Sequence, residues 1–403
     1  MDADILIIGG GLNGPLMALA LAQSGLTSTV IDAGSAKLQA QPGFDGRAYA
    51  LAHSSVRMLR ALDLWDAVED QAEPILGIRA SDGRPGEGAA RQFLDFDAGE
   101  IEESPMGHIV EDRVLRPALL LAAAAAEAVT YLSGARVVAQ NEQGQVKLAD
   151  GSMLAGKLLI GADGRGGETT MRAGISRMGW GYGQTALVTA IAHERPHNGI
   201  AHQFFMPAGP LAILPLPGNR SSIVWSERDS DAAQIAALPD AEFLDHLRPR
   251  FGDFRGEIAL AGQRYSYPLG LSLAQSFVAP RLALIGDAAH GVHPIAGQGL
   301  NLGFRDVAAL AQVVAEAGRR GEDIGAADVL VRYQSWRRFD TAALAVATDG
   351  FNRLFSNDNP LLRAVRDLGM GAINATPGLK RQFIREAAGL TGDLPKLLQG
   401  RQV

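Results

Sequence analysis

Residues 4–32, DILIIGGGLNGPLMALALAQSGLTSTVID, constrain the fold more than any other stretch. An apolar run from Asp4 to Ile8 ends in three glycines. It is followed by PLMALALAQSG, in which Leu16, Leu19, Ala20, Ala22 and Gln23 suit one buried helix face. LTSTVIDA then supplies a β-branched run ending in Asp32, which completes a βαβ unit. Gly9, Gly11 and Gly14 satisfy G-x-G-x-x-G between strand and helix, with the acid Asp32 about twenty residues further on. Such glycines permit a tight turn and let backbone approach a pyrophosphate at the positive end of the helix. Asp32 is placed to accept hydrogen bonds from a ribose, and Pro15 suits the first helical turn. The unit predicts dinucleotide binding without separating NAD from FAD.

Two further turns share this design. Lys157–Ile160 reads as a strand stopping at Gly161-Ala162-Asp163-Gly164-Arg165, with a helix expected to start in GGETTMRAG. Arg281–Ile285 reads as a strand stopping at Gly286-Asp287-Ala288-Ala289-His290. Glycine-acid pairs are common turn formers. At the carboxyl ends of strands in one α/β sheet, however, all three loops would converge on one crevice and one long ligand.

Composition narrows the function. The chain has 403 residues, 47% hydrophobic and 20% charged, which is ordinary for a large globular core and for two domains. A net charge of −7 without a long basic run argues against nucleic acid as a partner. With no cysteine, disulfides and thiolate chemistry are excluded, so redox work needs a bound cofactor. No metal site is expected, because His290 and His293 have no carboxylate or cysteine at ligand spacing; both read as packing residues. The start lacks a basic signal-peptide region, and the apolar run Ala118–Val129 is shorter than the roughly 20 residues a span needs. A cytoplasmic protein, soluble or peripheral on the inner face of the membrane, is expected.

The three motifs together resemble the class A flavoprotein aromatic hydroxylases of the p-hydroxybenzoate hydroxylase fold. They are Gly9-x-Gly11-x-x-Gly14 with Asp32, Gly161-Ala162-Asp163-Gly164, and Gly286-Asp287-Ala288-Ala289-His290 through Pro294, Gly297, Gln298, Gly299 and Asn301. The resemblance implies FAD as cofactor, with Asp287 on the ribityl chain, the Pro294–Asn301 loop along the isoalloxazine, and Asp163 near the cofactor and the approach of a nicotinamide donor. A helix starting near Asn301 is expected to aim its N–H groups at the flavin. Arg47 is implied to stand close to the flavin, the alternative being a solvated loop charge. Arg113 is implied to contact the cofactor, the alternative being an ion pair with Glu111 or Asp112. Arg47, Pro294 and Gly297 form the expected ring environment, and no base is assigned.

The fold class expected is α/β (α+β): a Rossmann-like FAD-binding domain with an inserted antiparallel-sheet substrate domain and C-terminal helices. Segments 1–75, 106–180 and 276–345 are assigned to the FAD-binding domain, 76–105 and 181–275 to the substrate domain, and 346–403 to a helical tail. TALVTAIAHE, IAHQFFMP, LAILPLP and SSIVWSE are the strand-like runs of the insert. Phe204, Phe205, Met206, Pro215, Leu216 and Trp225 are candidates for an apolar pocket or for plain core. No second complete glycine βαβ unit occurs, so electrons are expected from NAD(P)H bound transiently or from a protein donor.

The tail is similar to the C-terminal signature of the ubiquinone-biosynthesis hydroxylases. Thr348, Asp349, Leu354–Asn357, Arg363, Arg366, Gly369, Asn374 and Leu379-Lys380-Arg381 carry this. It implies hydroxylation of a polyprenyl phenol with O2 through a flavin C4a-hydroperoxide, and association with a ubiquinone-synthesis complex. The alternatives are a hydroxylase of a small soluble phenol and a non-catalytic flavoprotein scaffold. Leu361, Leu362, Val365, Leu368, Met370 and Ile373 alternate with Arg363, Arg366, Lys380, Arg381 and Arg385, which suits either an anionic membrane surface or a packed terminal helix.

Overall fold

The computed structural model describes residues 2–35, 46–86, 88–294, 297–356, 369, 371 and 373–403. Asn357, Arg363, Arg366, Leu361, Leu362, Val365, Leu368 and Met370 of the tail signature lie outside them.

A six-stranded sheet runs in the order Val278–Ala279, Leu282–Leu284, Leu158–Gly161, Ile5–Ile8, Ser28–Asp32, Val129–Ser133. All pairings are parallel except the first. Ile5, Leu6, Ile7 and Ile8 are all buried, as expected where a parallel sheet is covered on both faces. The helix Asn13–Ala22 packs against both Asp112–Ala125 and Gln298–Arg319. Gly161 pairs with Ile8 on one side and with Leu284 on the other, so the three glycine loops leave the sheet side by side at its carboxyl edge.

A second, nine-stranded sheet follows the path His290–Gly291, Tyr265–Ala274, Arg177–His193, Arg220–Arg228, Gly209–Leu216, Ile200–Met206, Gly77–Arg84, Gly88–Asp97, with Ile258–Leu260 paired to Arg177–His193. Its pairings are antiparallel apart from Ile200–Met206 with Gly77–Arg84. Period-two alternation divides its side chains between two faces. Leu187, Phe204, Met206, Leu211, Ile223 and Trp225 pack with Ala232, Ile235, Phe243, Leu247 and Phe251 of the helices Asp229–Ala237 and Asp240–Phe251. Ala186, Val188, Ala201, Phe205, Ala212 and Val224 are turned the other way, onto a cavity. Phe204, Met206 and Trp225 are therefore core, while Phe205 is wall.

This sheet crosses two of the expected boundaries. Arg177–Gly181 is one continuous ladder with Gly270–Ala274, so the strand begins before residue 181, and His290–Gly291 adds an edge strand from the 276–345 segment. The long helix Ala327–Phe355 likewise runs through residue 346 without a break. In the tail, Pro377–Ala387 buries Ile384 beside Leu216, and its cations Lys380 and Arg385 are paired with Glu100 at 2.5 Å and Glu103 at 3.0 Å. The turn Lys396–Gln399 places Leu397 and Leu398 in the core of the first sheet. Among the described residues, no helix is long and apolar enough to cross a membrane.

Candidate functional site

Gly9 has φ +112°, and a Cβ there would collide with the Ala162 carbonyl, so the first and second loops touch. A Cβ on Gly14 would overlap the Gly9 carbonyl oxygen, which is how closely the helix Asn13–Ala22 approaches its strand. That helix has no side-chain cap, and Gly11, Leu12 and Asn13 form cavity wall, leaving backbone N–H groups for an anion. The Asn13 Oδ1 atom is buried on this wall with no hydrogen-bond partner among the described residues.

Asp32 stands at the end of its strand but not on the cavity wall. It accepts hydrogen bonds from the Gly34 amide at 2.9 Å and the Tyr131 hydroxyl at 3.0 Å. Burial and the Asp32 charge hold the Tyr131 phenol above its usual range, so it remains a donor. Asp163 is also set back: its Oδ2 accepts from the Thr169 amide at 3.0 Å and hydroxyl at 2.7 Å, fixing the short turn Thr169–Arg172. Its neighbours Ala162, Gly164 and Arg165 form the wall.

The third loop is built to present one side chain. Gly286, Ala288, Ala289 and His290 are buried, whereas Asp287 is exposed into the cavity, and its carboxylate accepts no hydrogen bond from the described residues. Arg177 donates to the backbone oxygens of Asp287, at 3.1 Å, and Ala288. Behind the loop, fully buried Asp306 accepts from the Gly286 amide at 2.9 Å, the His290 Nε2 at 2.5 Å and the Arg337 Nε at 2.9 Å. His290 is thus a packing residue with a defined partner. His293 is fully buried against Tyr182 with ring centroids 5.1 Å apart, and desolvation depresses it to about 4.

Pro294, Gly297, Gln298 and Gly299 line the cavity; Ile295 and Ala296 lie outside the described residues. The helix starts at Gln298 after a left-handed Gly297 (φ +64°), three residues earlier than expected, because a single αL glycine is enough to turn the chain into it. Asn301 therefore sits inside the first turn rather than along the ring loop. Its Oδ1 accepts from the Ala52 amide at 2.9 Å and the Ser55 hydroxyl at 2.8 Å, and its Nδ2 donates to the Ala50 carbonyl at 2.8 Å. It clamps the strand Ala48–Ala52, itself a cavity wall, to the helix.

Arg47 lines the cavity and is paired with Asp112 at 3.0 Å; Asp112 also accepts from Nε and Nη2 of Arg116 at 2.9 Å each and from the Tyr49 hydroxyl at 2.7 Å. Arg113 is absent from the wall. It is held by Glu111 at 2.7 Å, which also binds Arg220 at 2.8 Å, while Arg116, nearly one turn further, faces the cavity. Spacing was the missed signal: Arg116 lies four residues from Asp112, the pairing that anchors it. Asn13, Arg165 and Arg305 are further polar wall residues that the glycine motifs did not single out.

The wall residues border one cavity of about 1670 Å³, beyond the roughly 300–1,000 Å³ of a single small-ligand pocket. It extends from the glycine loops across the apolar sheet face to Leu344, Ala347, Phe351 and Phe355. The free N–H groups of the uncapped helix end fit the pyrophosphate of FAD, and two acceptors, the buried Asn13 oxygen and the projecting Asp287, fit hydroxyls of its polyol. Among the described residues, no group of three His, Asp or Glu could hold a metal.

A parallel sheet with three converging glycine loops, opening onto the apolar face of a second sheet, defines an FAD-dependent oxidoreductase with a separate substrate wall. Residues 2–346 match the family model described as FAD binding domain. The chain is 43% identical over 404 aligned positions to the ubiquinone hydroxylase UbiL of Rhodospirillum rubrum, covering 99% of this chain and 93% of that protein. It is 36% identical to the 3-demethoxyubiquinol 3-hydroxylase of Escherichia coli, covering 96% and 98%. The p-nitrophenol 4-monooxygenase PnpA of Pseudomonas putida shares the fold, with a TM-score of 0.77 at 18% identity over 97% and 98% of the two chains. The chain belongs to the FAD-dependent hydroxylases of ubiquinone biosynthesis.

Proposed function

We propose that this chain inserts one atom of O2 into the ring of a polyprenyl phenol, with NAD(P)H or a protein donor supplying two electrons and the second oxygen leaving as water. The carrying observation is the single cavity that joins the glycine loops to an apolar wall larger than a free phenol needs. FAD, when bound, supplies electron transfer and O2 activation. The chain's own residues position and dry the site. Gly11, Leu12 and Asn13 hold the pyrophosphate with the helix dipole behind them, and Asp287 accepts from the polyol. The amides of Gln298 and Gly299, at the start of a 22-residue helix, set a positive potential beside Pro294 and Gly297 where the ring would lie. Arg47 and Arg116 are held on the cavity wall by Asp112. The Ala, Val and Leu side chains of the second sheet exclude water from the substrate.

A small soluble carboxylate is a poorer fit, since among the described residues the second sheet contributes no Lys or Arg to the cavity wall. Phe339, Phe351 and Phe383 are exposed and also line the cavity, marking an apolar mouth; Phe339 and Val346 are 79% and 74% exposed. They support peripheral contact with the inner face of the membrane, from which a lipid-soluble phenol would enter, and a quinone-synthesis complex as partner. The test supplies the FAD-loaded enzyme with NAD(P)H, 18O2 and either a prenylated phenol or a hydroxybenzoate. One 18O atom in the prenylated ring is expected; turnover of hydroxybenzoate alone would refute the proposal.

A further inference from the structure

Gln203 is the polar member of an otherwise apolar row on the cavity wall. Strand register places Ala80, Gln203, Ala212, Val224 and Val188 in one row across the second sheet, each beside the next. All five line the cavity. Along its own strand, Ala201 and Phe205 share its face while Phe204 and Met206 point into the core behind. Gln203 is half-buried, and among the described residues its carboxamide has no hydrogen-bond partner. The alanines on either side leave a shallow depression around it. Half-buried on the cavity wall, the carboxamide keeps its donors and acceptor available to a ligand.

We propose that Gln203 positions the substrate by binding an oxygen substituent of its ring, which rests on the ring-hydroxylation reading above. The amide oxygen accepts from a phenolic O–H, and the NH2 donates to a neighbouring hydroxyl or alkoxy oxygen. Ala80 and Ala212 admit the flat ring edge-on beside it. Phe205, two residues along the strand, packs against Phe355 with ring centroids 4.1 Å apart and planes tilted by 34°, and gives the apolar tail a direction. A ring held at its oxygen and at its tail cannot turn over, so Gln203 selects the carbon that is oxygenated.

The test compares wild type with Gln203→Leu and Gln203→Met, all FAD-loaded, using a short-chain prenylated phenol and its O-methyl ether. Wild type is expected to bind the phenol about three- to tenfold more tightly than the ether, the range of one hydrogen bond. Both variants should bind the two alike, with unchanged flavin content and melting temperature, and should spread the new oxygen over more than one ring carbon. A variant that keeps both the phenol preference and the single product overturns the proposal. Failure of wild type to hydroxylate the phenol would instead overturn the functional reading, and the binding comparison would still decide whether Gln203 holds the ring oxygen.

Discussion

The Asp306 carboxylate and the Gly286 amide, twenty residues apart in sequence, lie 2.9 Å from each other in a fully buried setting. One acid on the helix Gln298–Arg319 thereby holds the turn that presents Asp287, and it joins that turn to Arg337 of the following helix. Asp306→Ala would leave Arg337 charged and buried without its main partner, at a cost of about 3–5 kcal/mol. Urea denaturation should show that loss, and the folded fraction should retain less flavin. An unchanged midpoint would mean the network is not structural.

Asp287 itself should behave differently. Its carboxylate accepts no hydrogen bond from the described residues, so Asp287→Ala is expected to leave the unfolding free energy of the apoprotein within about 0.5 kcal/mol of wild type. Flavin absorbance per protein should nevertheless fall to near zero after gel filtration. Retained flavin would remove Asp287 from the cofactor site.

Gly14→Ala should also cost flavin, but through the backbone. The added methyl would overlap the Gly9 carbonyl oxygen and push the helix end away from the turn. Equilibrium titration of the apoprotein with FAD should show at least tenfold weaker binding, about 1.4 kcal/mol.

Stability should fall on mild acidification. Burial depresses His293 to about 4 and, with the Arg255 charge, His202 to about 3. Below pH 6.5 the unfolded chain takes up protons at these residues while the native state does not, so stability drops as pH falls from about 6.5 towards 4, by roughly 1.4 kcal/mol per unit for each group. Asp306, also depressed, loses its contribution only below its ordinary value of 3.8. Urea midpoints at pH 7.5, 6 and 5 should decline, and His293→Gln should flatten the slope.

What was legible in the sequence followed from backbone demands. Gly9, with φ +112°, and Gly14, whose Cβ would meet the Gly9 carbonyl, answer demands of one short turn, and the carboxyl-edge rule then brings the second and third loops to it. What was not legible depends on distant partners. Asn301 becomes a clamp only because Ala50, Ala52 and Ser55 arrive from some 250 positions away. Arg116 takes the wall in place of Arg113 because Asp112 is claimed at once by Arg47, Tyr49 and Arg116. Gln203 looked like any polar residue in a strand until register set alanines on both sides of it.

The turn Lys396–Gln399 packs on the helices His53–Ala61 and Gln298–Arg319, with the Lys396 amide bonded to Gln312 at 2.9 Å and its ammonium to Glu316 at 3.0 Å. Leu397 and Leu398 thus finish a core whose first strand is Ile5–Ile8. During synthesis, the cofactor-binding half must stay incomplete until Leu397 and Leu398 have left the ribosome, so the early glycine loop spends that interval without its full support.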